Sequence, residues 1–135
     1  MESATTSDWM PTVLIVDDEE ALRGLVAEFL ESRGFTCHVA ATGMAALNLF
    51  ARRNYDLIIS DLRHPAPDGY ELITVVRSIN ARQPVMIYTA ATEIEECMAT
   101  FRCCFPDVPV VTKPAALSGS FMEAVERALQ RGRAA

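Results

Sequence analysis

The chain has 135 residues, of which 50% are hydrophobic and 22% are charged, and its formal net charge is −6 at pH 7. This length suits one domain with a substantial core, and the composition is ordinary for a soluble globular protein. The acidic balance argues against nonspecific nucleic-acid binding, which depends on basic patches, so we expect no direct nucleic-acid contact. The sequence shows neither an apolar run that could span a bilayer nor a signal-peptide pattern, so we expect no membrane insertion and a cytoplasmic location.

The four cysteines do not have the spacing of a metal site or of a CxxC redox motif: Cys37, Cys97, Cys103 and Cys104. Three of them fall within one predicted helix, where cysteine behaves as a small hydrophobic residue. Adjacent residues on a helix point in different directions, which would leave one of Cys103 and Cys104 exposed and oxidisable. We expect no functional redox role.

The first predicted strand is followed by a run of acids. Val13 to Val16 form a continuous apolar segment that predicts a buried strand, and Asp17 to Glu20 follow it directly. Helix capping and the helix dipole account for one or two of these acids, but four like charges in a row repel one another. A helix comes next, and Gly34 ends it. Its expected inward-facing residues have helical spacing: Leu22, Leu25, Val26, Phe29 and Leu30.

The middle of the chain contains two further strand–helix pairs. Thr36 to Ala40 form a weaker second strand, and Gly43 opens a helix whose expected inner face is Ala46, Leu47 and Phe50. Leu57 to Ser60 form the third strand, which ends on Asp61. Turn formers then lead into a helix over 69–79: Pro65, Pro67, Asp68 and Gly69. The residues of this helix that we expect to face inward are Leu72, Val75, Val76 and Ile79.

Two more pairs complete the alternation. Val85 to Tyr88 form the fourth strand, which ends on Thr89, and the spacing of Thr92 and Glu95 predicts a capping box for the fourth helix. The apolar stripe expected on that helix is Ile94, Cys97, Met98 and Phe101. Val108 to Thr112 form the fifth strand, which ends on Lys113-Pro114. The last helix begins near Ser118, and its expected inner residues are Phe121, Val125 and Leu129.

Strand and helix therefore alternate five times, and the strands are mostly uniform apolar runs. Uniform strands are covered on both faces, and right-handed crossovers between them give a doubly wound parallel α/β sheet. We expect one domain over residues 11–131, a flexible amino-terminal tail over 1–10 and a short carboxyl-terminal tail over 132–135.

Chemically capable side chains follow four of the five strands. They are Asp17 with Asp18, then Asp61, Thr89 and Lys113, and the carboxyl ends of parallel strands share one edge of the sheet. Three crowded carboxylates need a cation, and oxygen ligands without Cys or His suit Mg²⁺. Lys113 and Thr89 can neutralise and hydrogen-bond a phosphoryl group, and an Asp carboxylate can accept one as a nucleophile. The pattern therefore predicts phosphoryl chemistry.

The same residues resemble a known family, the receiver domain of two-component response regulators, in order and spacing from Pro11 to Arg131. The motifs that carry the resemblance are Val13–Glu19, Asp61 with Pro65 and Asp68-Gly69, Thr89-Ala90, and Lys113-Pro114. The resemblance, in particular to stand-alone regulators of the chemotaxis type, implies a flavodoxin-like fold with five helices and a doubly wound five-stranded parallel sheet in the order 2-1-3-4-5.

The resemblance also implies roles for individual residues. Asp61 would accept a phosphoryl group from a phosphohistidine, and the domain would catalyse only its own phosphorylation and dephosphorylation, so it is not expected to be an enzyme in the usual sense. Asp18 and Asp61 would bind Mg²⁺ directly, Asp17 through water, and the backbone carbonyl of Arg63 would be a further ligand. Lys113 would hold Asp61 at rest and the phosphoryl oxygens afterwards. Thr89 would move toward the phosphate and remodel the surface of the fourth helix and fifth strand.

The implied partners are a sensor histidine kinase or histidine phosphotransfer protein and a downstream protein target. The fourth-helix and fifth-strand face is a candidate surface for a homodimer. No effector domain follows the last predicted helix, so the sequence favours a stand-alone receiver in a phosphorelay. The alternative is an adaptor or scaffold that acts mainly by protein binding, with phosphorylation only weakly coupled.

The sequence departs from the family pattern in its switch region. Receiver domains typically carry an aromatic residue three positions before the lysine, and here that position is Val110. We therefore expect an altered output, or one that uses Tyr88 or the Phe101/Phe105 end of the fourth helix. The segment 101–107 is open to two interpretations, a partner surface or ordinary core packing, and core packing is favoured.

Two residues next to the acceptor are also distinctive. Arg63 would either form a surface ion pair of little consequence with Glu19 or Glu20, or contact the phosphate and slow its hydrolysis. His64 has no metal-ligand spacing, so we expect a loop residue and not a phosphodonor.

Two other classes that use this fold fit poorly. A haloacid-dehalogenase-type phosphatase needs a second Asp two residues after Asp61, where Arg63 stands. In a flavodoxin-type electron carrier, the acids at 17–20 would repel the FMN phosphate, and the sequence contains no glycine-rich nucleotide motif.

Overall fold

The computed structural model describes residues 10–113 and 119–133. The predicted tail over 1–10 thus lies outside the described residues except for Met10, as do Pro114, Ser118, the end of the chain after residue 133 and the side chains of Ile94 and Cys97. The elements, in chain order, are β1 (Thr12–Val16), α1 (Glu20–Glu31), β2 (Thr36–Ala40), α2 (Gly43–Phe50), β3 (Leu57–Ser60), α3 (Gly69–Ile79), β4 (Val85–Ala90), α4 (Ala91–Cys104), β5 (Val110–Lys113) and α5 (Ser120–Arg133).

The five strands form one parallel sheet in the order β2-β1-β3-β4-β5, which confirms the predicted flavodoxin-like topology. Val16 pairs with both Ala40 and Ser60, and Ser60 pairs in turn with Ile87. This register brings the ends of β1, β2 and β3 level with one another. The residues that follow β1 and β3 therefore emerge side by side at one edge of the sheet.

The strands bury alternate residues in two apolar cores, one on each face of the sheet. Val13 and Ile15 of β1 belong to the α1/α5 core, which also contains Val26 of α1 and Phe121 of α5. Leu14 and Val16 belong to the α2/α3/α4 core, and the helix residues buried there are Ala46, Leu72, Ile73, Val76 and Phe101. Because both faces are covered, β1 and β3 need apolar residues at nearly every position, as predicted.

Three predicted core residues are exposed, so these predictions were wrong. Leu25 in α1 is 53% exposed, and in α3 Val75 is 37% and Ile79 is 69% exposed. The burial of Ile73 shows that the inner face of α3 is rotated away from Val75, and Ile79 is the last residue of the helix. In α1 the buried stripe is the narrower one centred on Val26 and Leu30. Apolar spacing alone predicted a wider buried face than either helix has.

The predicted capping box at the start of the fourth helix was also wrong. The capping box lies at α3, where Asp68 and Glu71 each accept the other's backbone N–H at 2.9 Å. α4 begins at Ala91 with Ala90 as its N-cap and no side-chain cap, so Thr92 lies inside its first turn instead of capping it. After α1 the chain turns at Gly34, whose φ of 93° is a left-handed conformation that favours glycine.

Two smaller boundary corrections concern the last part of the chain. β5 begins at Val110, two residues later than predicted. α5 begins at Ser120 and continues to Arg133, into the range predicted as a tail, and it buries Phe121, Val125 and Leu129 as expected. In the part of the chain that the structure describes, no helix is both long and apolar enough to cross a membrane.

Candidate functional site

Two acids are fixed by the sheet itself at the ends of neighbouring strands. The backbone N–H of Asp61 donates to the carbonyl of Val16 at 3.0 Å, and that of Asp17 donates to the carbonyl of Ala40 at 3.0 Å. Both side chains are largely withdrawn from solvent, with Asp17 4% and Asp61 9% exposed. Parallel pairing therefore carries both carboxylates to one edge and holds them there before any ligand arrives.

Lys113, at the end of β5, binds this acidic group from the opposite side. Its Nζ lies 2.6 Å from Asp61 Oδ2, 2.8 Å from Asp17 Oδ2 and 3.3 Å from Glu19 Oε1. Burial lowers the pKa of this ammonium, but the hydrogen bonds to Asp17 and Asp61 and the charges of these two acids raise it more, so the pKa is raised above its ordinary value. Lys113 is therefore a fixed cation across from Asp61.

Thr89 supplies a second donor to Asp61. Its fully buried hydroxyl donates to Asp61 Oδ1 at 2.6 Å, while Lys113 donates to the other oxygen at 2.6 Å. The backbone N–H of Arg63 also points to Oδ1, at the longer distance of 3.4 Å. Both oxygens of this carboxylate are thus hydrogen-bonded, and the three residues predicted to carry the chemistry lie together as the sequence indicated.

Three carboxylates come close enough to share one cation. Asp17, Glu19 and Asp61 each place one carboxylate oxygen within 4.8 Å of the others. A donor set made only of carboxylate oxygens fits Mg²⁺ or a similar hard divalent ion, and Lys113 already shows that the group attracts positive charge.

Glu19 is a member of this cluster that the sequence did not identify. It caps α1 with an extended backbone, φ −85° and ψ 105°, and its N–H donates to Asp17 Oδ1 at 2.9 Å. This turn, with a bend at Asp18, places Glu19 beside Asp17, and an Asp two residues before the helix cap was the available signal. Asp18, between them, is exposed and is outside the three-residue cluster. Its predicted role as a direct ligand, and that of the Arg63 carbonyl, stay predictions.

His64 lies in the loop after β3, as expected, but nothing in its sequence context predicts its surroundings. It is only 7% exposed, its Nε2 lies 3.1 Å from Ser60 Oγ, and its Nδ1 lies 3.3 Å from the Pro65 carbonyl oxygen. The sequence places a polar residue in a polar loop. Its burial depends on how the loop folds back over β3, which no local spacing reveals.

The candidate output residues lie on opposite faces of the sheet. Tyr88 is buried in the α1/α5 core, with its ring 5.9 Å from Lys113 Nζ and 5.1 Å from the Phe121 ring. Val110 is half-buried against the α2/α3/α4 core, as is Phe105. The choice between Tyr88 and the Phe101/Phe105 end for output stays a prediction.

The segment at the end of α4 is mainly a packing element. Phe101 is 2% exposed, and its ring packs against those of Phe105 and Tyr70 at centroid distances of 5.9 and 5.8 Å, which supports the core-packing interpretation. Cys103 and Cys104 are both exposed and free. The prediction had left only one of this pair exposed.

The chain matches the family model of the response regulator receiver domain over residues 13–119. Among curated proteins, the chain is 37% identical over 91 residues to the regulatory protein AtoC of Escherichia coli, an alignment that covers 67% of this chain and 20% of AtoC. It is 32% identical over 102 residues to the transcriptional regulatory protein RprY of Bacteroides fragilis, covering 76% of this chain and 42% of RprY. The chain thus spans less than half the length of these curated relatives.

Solved structures show the same fold. A CheY-like receiver domain protein from Methanospirillum hungatei superposes with a TM-score of 0.82 at 21% identity, over 93% of this chain and 98% of that one. The response regulator protein TrrA of Thermotoga maritima, solved in complex with Mg²⁺-BeF, superposes with a TM-score of 0.76 at 27% identity, over 88% of this chain and 99% of that one.

Proposed function

This chain belongs to the response regulator receiver domain family of two-component signalling, and from that membership we propose that Asp61 is the residue that accepts the phosphoryl group. The family consists of phospho-accepting signalling domains rather than classical enzymes, and its members bind Mg²⁺ at an acidic site. The proposal concerns how this chain's own residues perform that reaction and which partners supply and read the phosphoryl group.

One observation carries the proposal. Asp61 is the carboxylate with a cationic donor on one oxygen and a hydroxyl donor on the other, Lys113 and Thr89, each at 2.6 Å. Asp17, the other buried acid of the cluster, shares Lys113 at 2.8 Å and has no such hydroxyl partner among the described contacts. Asp61 therefore has in place both groups that a phosphoryl group on its carboxylate would need.

The reaction transfers a phosphoryl group between two side chains. A carboxylate oxygen of Asp61 forms the new bond to phosphorus while the bond from phosphorus to the imidazole nitrogen of a partner's phosphohistidine breaks, and that nitrogen keeps the electron pair. The attacking oxygen must first lose its resting donor. Lys113 and Thr89 then hydrogen-bond the transferred phosphoryl oxygens, and the Lys113 ammonium offsets part of their negative charge.

Mg²⁺ fits the acidic side of this site. Asp17, Glu19 and Asp61 would hold it, together with Asp18 and the Arg63 carbonyl if the sequence-based expectation is right. When bound, the ion neutralises the crowded carboxylates and the incoming phosphoryl oxygens. The protein residues do the rest: Asp17 holds Lys113 beside Asp61, and the Asp61 backbone stays paired to β1 through Val16 at 3.0 Å.

The partners follow from the family and from the relatives. The chain is 37% identical over 84 residues to part of the sensor histidine kinase RcsC of Escherichia coli, covering 62% of this chain and 9% of RcsC. Receiver domains therefore occur both within kinases and within transcriptional regulators. We propose a histidine kinase or histidine phosphotransfer protein as the phosphodonor and a protein target as the reader of the phosphorylated state.

The test is phosphorylation by acetyl phosphate, measured by intact mass with and without Mg²⁺. The wild type should gain one phosphoryl group only when Mg²⁺ is present, and Asp61→Asn should gain none because the amide cannot act as the nucleophile. Asp56→Asn is the matched control, because Asp56 immediately precedes β3 and lies away from the site. Its carboxylate accepts the backbone N–H of Thr12 at 2.8 Å.

Asp56→Asn should be phosphorylated like the wild type. A phosphoryl gain on Asp61→Asn would assign the acceptor to another residue and contradict the proposal. If the wild type takes up no phosphoryl group under any condition, the adaptor function becomes the better explanation.

A further inference from the structure

Two polar side chains near Asp61 are buried, and the phosphoryl reaction as described does not use them. Ser60, the last residue of β3, is 0% exposed, and His64 in the following loop is 7% exposed. Burying a hydroxyl and an imidazole costs free energy unless each finds a hydrogen-bond partner. The pair finds its partners within the loop that carries Asp61.

The imidazole connects the two ends of that loop. One ring nitrogen, Nε2, lies 3.1 Å from Ser60 Oγ, and the other, Nδ1, lies 3.3 Å from the Pro65 carbonyl oxygen. Ser60 Oγ also donates to the backbone carbonyl of Asp61 at 2.7 Å, so it accepts the N–H of Nε2, and Nδ1 of that tautomer approaches the Pro65 carbonyl without a proton to donate. The residues enclosed between these contacts are Asp61, Leu62 and Arg63, so one side chain spans both the acceptor and the carbonyl expected to bind the metal.

The same stretch is anchored to the neighbouring helices. The Pro65 carbonyl accepts the N–H of Gly43, at the start of α2, at 3.0 Å, and the Leu62 carbonyl accepts the N–H of Gly69, at the start of α3, at 2.9 Å. A Cβ on Gly69 would collide with the Asp61 carbonyl, so α3 packs directly against the acceptor's backbone. The loop is thus held at α2, at α3 and, through His64, at β3.

We propose that His64 is a positioning residue: with Ser60 it fixes the backbone of Asp61 and Arg63, so that the carboxylate and the metal-binding groups are in place before Mg²⁺ and the phosphodonor arrive. The inference rests on the proposed function. Groups behind the metal and nucleophile set their orientation, and a small displacement of a reacting group is enough to slow a positioned reaction strongly. The imidazole itself does not contact the carboxylate oxygens in the described contacts.

A purely space-filling role for His64 predicts different behaviour. Met fills a similar volume without hydrogen bonds, whereas Gln retains an amide that can bond Ser60 or Pro65. If only volume matters, His64→Met is active and His64→Gln has no advantage. If the hydrogen bonds matter, His64→Gln recovers part of what His64→Met loses, and Ser60→Ala reproduces the loss.

The experiment combines Mg²⁺ binding, measured by calorimetry without any phosphodonor, with phosphorylation by acetyl phosphate. We expect His64→Met and Ser60→Ala to weaken Mg²⁺ binding by roughly 10-fold and to slow phosphorylation by about 10- to 100-fold. The double variant should lose little more than either single one, because both remove the same connection. His38→Met is the matched control, since His38 is the chain's other histidine and bonds Tyr55 at 2.8 Å instead of a site residue.

The inference is overturned if His64→Met binds Mg²⁺ and is phosphorylated like His38→Met, or if His64→Gln is as impaired as His64→Met. Should His64→Met fail to fold, Ser60→Ala and His64→Gln still decide the question. A wild type that binds Mg²⁺ but takes up no phosphoryl group would count against the proposed function alone, because the binding series still tests His64. A wild type that does not bind Mg²⁺ overturns both.

Discussion

The two faces of the sheet are closed by different kinds of contact. On the α2/α3/α4 face, Arg77 of α3 forms a bidentate pair with Asp107 at 2.9 and 2.7 Å, and Asp68 and Glu71 form the capping box of α3. The same face also has ring contacts, with Tyr70 packed against Phe101 and Phe105 at centroid distances of 5.8 and 5.6 Å. On the α1/α5 face, Phe121 packs edge to face against Tyr88 and Phe29, at centroid distances of 5.1 and 6.1 Å.

The difference shows how each face serves the site. The face with polar contacts carries the loop of Asp61, and directional hydrogen bonds fix the position of a backbone better than apolar contacts do. The α1/α5 face touches the site through Tyr88, whose ring lies 5.9 Å from Lys113 Nζ. The α2/α3/α4 face therefore carries the loop of Asp61, and the α1/α5 face lies next to Lys113, which donates to Asp61 at 2.6 Å.

The largest expected change in stability concerns the α1/α5 face. Phe121 is fully buried, so Phe121→Ala removes its packing in the α1/α5 core and should lower the free energy of unfolding by about 3–5 kcal/mol. Phe101→Ala, on the other face, removes a ring of the same size at 2% exposure and should cost a similar amount. Urea unfolding measures both.

A loss below about 1 kcal/mol for Phe121→Ala would show that α5 repacks easily and that aromatic contact does not close this face. If the two variants lose different amounts of unfolding free energy, the core with the smaller loss is the one that relaxes more completely into the space left by the ring.

The sequence predicted the sheet and the converging site residues well, because both follow from local patterns. Mostly apolar runs define the strands, and parallel topology then places Asp61, Thr89 and Lys113 on one edge, where Thr89 and Lys113 each lie 2.6 Å from an oxygen of Asp61. The errors came where a side chain's surroundings depend on distant elements. Val75 has the right spacing but lies beside the face that α3 presents to the sheet, where it is 37% exposed.

The acids and His64 illustrate the same limit within the site. Glu19 joins Asp17 and Asp61, and Asp18 does not, because the chain bends at Asp18 and the Glu19 N–H closes a turn on Asp17 Oδ1. The spacing of Asp17 and Glu19 is compatible with such a turn, but the run of four acids alone does not show which of them point inward. His64 is buried because the loop folds back over Ser60, which brings the two side chains into contact. This fold of the loop belongs to no regular secondary structure, so the spacing of Ser60 and His64 in the sequence does not predict the contact.

A smaller effect tests the polar face. Arg77 and Asp107 have side chains only 11% and 21% exposed, so Arg77→Met removes two charged hydrogen bonds from a largely buried carboxylate and should cost about 1.5–3 kcal/mol. Arg82→Met removes an exposed arginine near the same end of α3 and is the matched control, with an expected change within about 0.5 kcal/mol.

Arg77→Met and Asp107→Asn can be combined in a double-mutant cycle, in which the free energy of unfolding is measured by urea unfolding. A coupling energy near zero would mean that the bidentate pair is no more than a surface contact. The polar face would then owe its closure to Phe101 and its apolar neighbours.

The smallest effect is on how the stability of the α1/α5 face depends on pH. Burial, together with the nearby charge of Glu31, raises the pKa of the Cys37 thiol from 9.0 to about 12. In the unfolded chain the thiol ionises near pH 9.0, while the folded protein keeps the proton, so between pH 9.0 and about 12 the unfolded state binds fewer protons and the free energy of unfolding falls as pH rises. Cys37 is half-buried, so solvent screening keeps this loss small.

Cys37→Ala removes this contribution. The variant should differ from the wild type by a constant amount between pH 7 and pH 9, and above pH 9.0 its free energy of unfolding should fall less steeply, because one fewer group is ionised on unfolding. Urea unfolding at closely spaced pH values measures the difference, and lysine and tyrosine titrations cancel because both proteins share them. A constant offset up to pH 10.5 would mean that the Cys37 thiol is as well solvated in the folded protein as in the unfolded chain. The α1/α5 face would then be more open at β2 than the position of Cys37 against that core indicates.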